Sequence, residues 1–487
     1  MPEIAAAPTP PPAPSAGVLY PAGTLQYTAA GLRRVFAWLL AGEVVFTLID
    51  QLEPKVLPIL LKVHGATDQQ IAIIVGSINA VMQLLIMPPL GYVSDRTRTR
   101  WGRRIPYIFW VTPFATLFLA VTPFAPEIAR WALGEDGVGA WLRGLSIPPV
   151  VLCFGALVVA YRAVQTATNC MFFGLLRDVI PDTHMGRFLA LFRVVGAAST
   201  FIITYWLIGR TATHSREIFI GIAALNLVGF LAICWFVREG EYPAVPDKVA
   251  PARSGLGGVP GLRATWNFLA ESFSEPVYLW TYFVRTCNYA ALALSSFIIF
   301  FPQQELGLGL DRVGKHLSWP SVVWVVIAYP VGRLVDAWGS IRVLHHGLIL
   351  ITAGYVASFF LVVGDTTFFF SALVTGVGFW IVMLAQLKLA QEIYHPARYS
   401  QLAGANTIVI SVVVALVVSP AAGWVLDALK GWHPTMALPG VGPIELGPYR
   451  LVNLMLGGLY GLAWLGLLRV QHHWRRHQVA GRYVAPL

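Results

Sequence analysis

Apolar stretches long enough to cross a bilayer recur along this chain from Val35 almost to its C-terminus, separated by short polar runs. A helix rises about 1.5 Å per residue, so roughly 20 mostly apolar residues cross the hydrocarbon layer. This spacing predicts twelve spans, at residues 35–61, 69–92, 105–123, 149–176, 188–208, 216–237, 277–301, 318–336, 343–363, 366–393, 400–426 and 451–469. Thr67 and Gln70 give the second span a capping-box start. The longest polar interruption, Arg238 to Glu275, contains a Gly/Pro/Arg-rich run and divides six spans from six. The expected layout is a disordered cytoplasmic tail at 1–32, an N-terminal six-helix bundle at 33–237 and a cytoplasmic linker at 238–275. A C-terminal six-helix bundle at 276–470 and a cytoplasmic tail at 471–487 complete it.

Composition agrees with a bilayer as solvent. Of 487 residues, 56% are hydrophobic and 12% charged, about half the charged fraction of an ordinary soluble domain. The net charge of +10 gains its meaning from position. Of 34 Lys and Arg, 20 fall in loops and tails on the side of the N-terminus, 9 in loops on the other side and 5 within spans. The positive-inside rule therefore predicts a multi-pass protein of the cell (inner or plasma) membrane with both termini cytoplasmic. The basic surplus is topological, and nucleic acid is excluded as a partner, because no basic patch is interleaved with exposed stacking aromatics.

Cys153, Cys170, Cys234 and Cys287 all fall inside apolar spans without CxxC or Cys/His spacing, so neither a disulfide framework nor a metal site is indicated. His64 and Asp68 match an HxxxD pattern by chance. The glycines from Gly255 to Gly258 fail the dinucleotide fingerprint, with Pro260 at its third glycine position. HExxH, GxSxG and P-loop motifs are absent from the sequence. No enzyme is expected, and no cofactor.

Between the second and third spans stands Gly91-Tyr-Val-Ser-Asp95-Arg96-Thr-Arg98-Thr-Arg100-Trp-Gly102-Arg103-Arg104. A tight two-helix corner takes glycines where backbones crowd, and Asp95 offers a carboxylate to the arginines and to a neighbouring helix N-terminus. Gly332-Arg-Leu-Val-Asp336 closes the eighth span in the same way, 241 residues later, with Gly339 and Arg342 as a degenerate remainder. A second echo sets Asp178, Pro181 and Arg187 against Glu392, Pro396 and Arg398. Two echoes argue for duplicated halves related by a pseudo-two-fold axis along the membrane normal.

The first corner resembles the signature loop of the major facilitator superfamily. Its wording from Ser94 to Tyr107, with the stretch Arg177 to Gly196, is similar to the glycoside-pentoside-hexuronide:cation symporters and the sucrose-type proton symporters. The resemblance implies an all-α membrane protein of twelve transmembrane helices in two pseudo-symmetric six-helix bundles, the major facilitator fold. It also implies a cavity lined by the first, fourth, seventh and tenth helices. Span 69–92 has no acidic residue before Asp95 and span 149–176 has none, a departure from the sodium-linked melibiose type.

An ionisable side chain near the bilayer centre costs about 2.5–3.5 kcal/mol on insertion scales and is a functional candidate by default. Glu43, Asp50 and Glu53 share one side of span one, at angular offsets of about −20° and −80° from the first at ~100° per residue. Arg162, Gln165 and Asn169 share a face of span four. Arg285 and Asn288 lie in span seven, and Gln386 and Lys388 towards the cytoplasmic end of span ten. Trp380, deep in span ten, is the best aromatic to stack on a sugar ring; Trp38, Trp280 and Tyr289 are weaker.

The expected substrate and proton pathway is thus Asp50, Glu53, Arg162, Gln165, Asn169, Arg285, Asn288, Trp380 and Lys388. Asp50 or Glu53 takes up the proton. The expected gating motif is Gly91, Asp95, Arg96, Arg100, Gly102, Arg103, Arg104, Asp178, Gly332, Asp336 and Glu392, with Asp178 and Glu392 as partners of the arginines after Asp95.

The expected activity is sugar or glycoside transport by alternating access in symport with H+, by a monomer whose partners are the solute and the lipid bilayer. Two alternatives share the fold: a carrier or exporter of another small organic solute, and a non-transporting scaffold or pigment-assembly factor. A scaffold has little reason to retain Asp50 and Arg162 in a cavity.

Overall fold

The computed structural model describes residues 19–132, 147–241, 271–395, 398–438, 442–479, 482–483 and 485–486. Among them, twelve helices are long and apolar enough to cross a membrane. They are α1 (Ala29–Val63), α2 (Asp68–Arg96), α3 (Ile105–Ala132), α4 (Pro149–Val179), α5 (Thr183–Arg210) and α6 (Ser215–Phe236) in the first half. The second half holds α7 (Pro276–Glu305), α8 (Leu310–Trp338), α9 (Ser340–Leu361), α10 (Asp365–Ile393), α11 (Gln401–Ala428) and α12 (Pro448–Arg476).

The expected ends move outward. The segment assigned to a disordered tail contains a hairpin, Tyr20–Ala22 paired with Leu25–Tyr27, and the first turn of α1. Thr28 starts that helix by accepting the Gly31 N–H at 3.2 Å, and the hairpin is held by Thr24, whose hydroxyl accepts the Glu241 N–H at 2.8 Å. The C-terminal tail likewise begins as helix, since α12 runs to Arg476, and continues as a hairpin whose Tyr483 hydroxyl donates to the Ile393 carbonyl at 3.1 Å. Most of the expected linker, 242–270, lies outside the described residues, as does Pro396 of the second echo. Pro54 and Pro58 sit within α1.

The packing of the first half is repeated by the second with every helix number advanced by six. In the first half α3 packs on α4 and α6, α1 on α5 and α6, and α2 on α4. In the second, α9 packs on α10 and α12, α7 on α11 and α12, and α8 on α10. Close approach fixes some of these pairings. A Cβ on Gly229 of α6 would stand 2.7 Å from Val45, and one on Gly42 of α1 would strike Ile233 of α6. Phe172 of α4 fills the space beside them, edge-on to Phe230 at 5.4 Å.

The halves meet along two seams, α2 with α11 and α5 with α8, which the pseudo-two-fold axis exchanges. Three of these helices carry a π-helical turn at the seam: Ile73–Ser77, Ile203–Leu207 and Val414–Val418. A π turn leaves a carbonyl out of the regular helical ladder. Here Ser77 Oγ donates across the seam to the Ala415 carbonyl at 2.7 Å.

Polar contacts between the halves gather at the end opposite the Gly91–Arg104 corner. Lys62 Nζ meets Asp68 at 2.6 Å and the Tyr449 hydroxyl at 2.6 Å. Tyr449 in turn donates to Asp68 at 2.9 Å. Asp427 of α11 accepts the backbone N–H of Asp68 at 3.0 Å and of Gln69 at 2.8 Å, and Lys430 pairs with Asp427. Asp68, read from the sequence only as half of a chance HxxxD, thus ties the two halves together. On the other seam Gly209 lets α5 come within reach of Asp311, where an added Cβ would lie 2.7 Å from the Asp311 Cα.

Candidate functional site

Mid-helix polar groups collect on α1 and α4 of the first half and α7 and α10 of the second. Glu53 forms an ion pair with Arg162, and both are buried. Asp50, one turn back along α1, is exposed, and Arg162 and Lys55 are the cations that act on it. Gln165 is buried and donates to Asn169 Oδ1 at 3.0 Å. The fourth helix can hold this row because its long apolar stretches on either side carry the cost of insertion.

Lys55 escaped the sequence reading. Its Nζ donates to Thr204 Oγ1 of α5 at 2.7 Å, beside the π turn. It was visible as one of the five cations inside spans, but the shared face of the three carboxylates drew attention away from it.

The second half presents an equivalent cluster. Arg285 Nε donates to Asn406 Oδ1 at 2.6 Å and Nη1 to the Gln386 carbonyl at 3.0 Å, with the guanidinium 6.0 Å from the Tyr289 ring centroid. Asn288, fully buried, donates to Gln386 Oε1 at 3.0 Å. Asn406 on α11 was missed, since a single asparagine in a span is cheap and gives no pattern. Trp380 stacks on Trp324 of α8, with centroids 5.5 Å apart and planes at 10°, so one face of the ring expected to meet a sugar is already covered. Lys388 does not join this cluster; it pairs with Asp336 at the corner end, because its long stem carries the ammonium towards the helix end.

The two clusters keep unused hydrogen-bonding capacity. Gln165 Oε1, Asn288 Oδ1, Asn406 Nδ2, Thr286 Oγ1 and Arg162 Nε are buried without a hydrogen-bond partner. Buried polar atoms in this state are costly, and they are common where a ligand completes the bonding.

The corner motif forms a different kind of site. Arg103 makes a two-point contact with Asp178, 2.9 Å through Nε and 2.5 Å through Nη2, and lies 3.8 Å from Asp95. Arg104 reaches Asp95 at 2.5 Å and Asp178 at 3.4 Å, and also meets Ser94 Oγ. Arg100 lies over the Trp101 ring at 5.8 Å, and Arg96 is exposed at the end of α2.

Glu239, just past α6, accepts the backbone N–H of Arg103, Arg104 and Ile105 at 2.6, 2.8 and 2.7 Å. It caps the N-terminus of α3 from a distant part of the chain. Burial pushes its carboxyl above the usual carboxylate range, although the three N–H donors act in the opposite direction. Gly102 has φ +105°, and a Cβ there would lie 2.5 Å from the Glu239 side chain.

Three expectations about the corners change. Cβ atoms at Gly91 and Gly332 would meet open space, so helix crowding does not require glycine at either position here; among the corner glycines, Gly102 is the one pressed by a neighbour. Glu392 does not meet the arginines after Asp95. It accepts from Ser340 Oγ at 2.5 Å and from the Ser340 N–H at 3.3 Å, capping α9 within its own half.

Residues 39–418 match the Major Facilitator Superfamily. The general alpha-glucoside permease of Schizosaccharomyces pombe (strain 972 / ATCC 24843) is 23% identical over 173 residues, 35% of this chain and 31% of that permease. The match therefore spans about a third of the curated relative's length. Among solved structures, a bacterial homologue of the iron transporter ferroportin in an inward-facing state superposes with TM-score 0.60 at 15% identity, covering 90% of this chain and 99% of that one. A bacterial homologue of the human lysosomal transporter Spinster gives 0.60 at 12%, covering 94% and 98%. The nucleoside transporter NupG gives 0.59 at 11%, covering 90% and 99%. At these identities the superpositions speak for the fold.

Proposed function

Because the chain belongs to the major facilitator superfamily, we propose that it is a secondary transporter of a sugar or glycoside, working by alternating access with a proton as coupling ion. The observation that carries the reading is the pair of polar clusters, one in each half, whose buried amide, hydroxyl and guanidinium atoms lack partners. A polyhydroxylated solute supplies donors and acceptors together, which is what a mixture of open carbonyl oxygens and open N–H groups needs. The partial likeness to an alpha-glucoside permease and the corner wording of the glycoside and sucrose-type symporters point to the same solute class.

In this reading Asp50 and the Arg162, Gln165 and Asn169 row bind hydroxyls from the first half, and Arg285, Asn288 and Asn406 bind them from the second. With both termini cytoplasmic in the cell membrane, the Lys62–Asp68–Asp427–Tyr449 clamp closes the outer end. The state described here is then inward-facing, and the corner loops flank the mouth. The protein works as a monomer in lipid. A scaffold would not need the intramembrane ion pair of Glu53 with Arg162 beside an exposed Asp50, since such groups burden insertion without adding packing.

The test is uptake into proteoliposomes of labelled maltose, sucrose and methyl α-glucoside, with and without an inward proton gradient. Accumulation of at least one of them under the gradient, reduced at least tenfold by D50N, is the expected result. Wild-type vesicles that take up none of the three reject the sugar assignment.

A further inference from the structure

Three carboxylates lie along α1, and the structure gives them three different electrostatic settings. Glu53 is paired with Arg162. Asp50 is exposed and flanked by Arg162 and Lys55. Glu53 thus has a cation in direct contact, and Asp50 has two cations acting on it. Glu43 is 4% exposed, and its one polar partner among the described residues is the Thr47 hydroxyl, which donates to Oε1 at 3.1 Å. Its Oε2 is buried with no partner at all.

We propose that Glu43 is the group that takes up and releases the coupled proton, an assignment that rests on the proton-symport reading above. An ionised carboxylate enclosed without a cation in ion-pair contact or a second donor is far less stable than the neutral acid. In the state seen here Glu43 is the acid. The enclosure comes from α5: Gly196 brings its backbone so near that an added Cβ would stand 2.6 Å from Glu43 Oε1. Phe172 of α4 and Ile233 of α6 press on the adjoining Gly42 and contribute no charge.

The same helices supply the second state. Arg193, one turn before Gly196 on α5, is exposed and is the cation that acts on Glu43; Asp50 is the anion that does. Uptake forms an O–H bond at a carboxylate oxygen with a proton from water, and the acid settles against Thr47 in the α1–α5 contact. Release returns that proton to water, and the carboxylate turns towards Arg193. Asp50 lies on the same side of α1, about 10 Å further along the axis at ~1.5 Å per residue. A proton leaving Glu43 therefore alters the field at the exposed solute-binding carboxylate, which links the two events.

The isosteric E43Q mimics the neutral acid. In proteoliposomes it retains counterflow of the transported sugar and loses gradient-driven accumulation at least tenfold, whereas E43D, which keeps an acid, retains the gradient response. Infrared spectra of the purified protein at neutral pH report the acid without any substrate. The difference spectrum between wild type and E43Q is expected to show the loss of one carboxylic-acid carbonyl component. Unchanged gradient-driven accumulation by E43Q, or a carboxylic-acid carbonyl absorption identical in E43Q and wild type, overturns the assignment and leaves the transport reading standing. Wild-type vesicles with sugar uptake indifferent to the proton gradient overturn the symport reading and the coupling role together, and the infrared band then still decides the protonation state.

Discussion

The two corners carry the same Gly-x-x-x-Asp phrase, yet the structure uses them differently. At the first, Asp95, Arg103, Arg104, Asp178 and Glu239 bring α2, α3, α4 and the end of α6 into one network. At the second, Asp336 meets one lysine, Lys388, while Glu392 caps α9 through Ser340. Burial separates them further: the side chain of Asp178 is 7% exposed and that of Asp336 76%. Duplication preserved the corner and allowed its energetics to diverge. The first half is tied by charge at the corner end. At that end the second half has the partly exposed pairs of Lys388 with Asp336 and Arg398 with Glu271, and a C-terminal hairpin that reaches the Ile393 carbonyl through Tyr483.

Variants can break this contrast, in descending order of effect. D178N leaves two largely buried guanidinium groups short of an acceptor. Breaking a buried pair costs about 3–5 kcal/mol, so thermal unfolding in detergent should move down by many degrees, and a shift no larger than that of D336N removes the distinction between the corners. Next is the paired comparison of G102A with G339A. Both positions have positive φ, at +105° and +82°, but only the first would drive a Cβ against another side chain, that of Glu239. G339A should cost about 1–2 kcal/mol from backbone strain alone, with G102A clearly worse in the same melting assay.

Glu239 sharpens the comparison through pH. Its carboxyl titrates above the ordinary carboxylate range in the folded protein, so the folded state holds its proton more tightly than the unfolded chain. Stability from this group is fully present below the ordinary range and is lost as pH rises through the folded value. Wild type should therefore gain stability as pH falls through the folded value of this group, and E239Q should show a flatter melting profile over that interval. The smallest effect belongs to D336N, which removes an exposed pair of the kind worth about 0–1 kcal/mol. Its melting point should stay near that of wild type.

The hydropathy of the chain determined the number of helices, because bilayer thickness fixes how many apolar residues a span needs. The repeated Gly-x-x-x-Asp spacing determined that the bundle is two halves, and the helix contacts repeat by six as that duplication requires. Intramembrane charge was equally legible, since an ionisable residue in lipid stands out from its neighbours: Asp50, Glu53, Arg162 and Arg285 could be named from spacing alone.

Partnership was not legible. Whether Lys388 faces the cavity or Asp336, whether Glu392 meets an arginine or Ser340, and whether Trp380 is bare or stacked on Trp324 depend on how helices rotate and cross. One-dimensional periodicity does not encode these choices. The ends of helices escaped for a related reason: Thr28 and Glu239 satisfy backbone N–H groups that hydropathy does not weigh. The three carboxylates of α1 show the division most clearly. Their shared side was written in the sequence, but their neighbours arrive from α4 and α5, and those neighbours decide which is paired, which is exposed and which is enclosed alone.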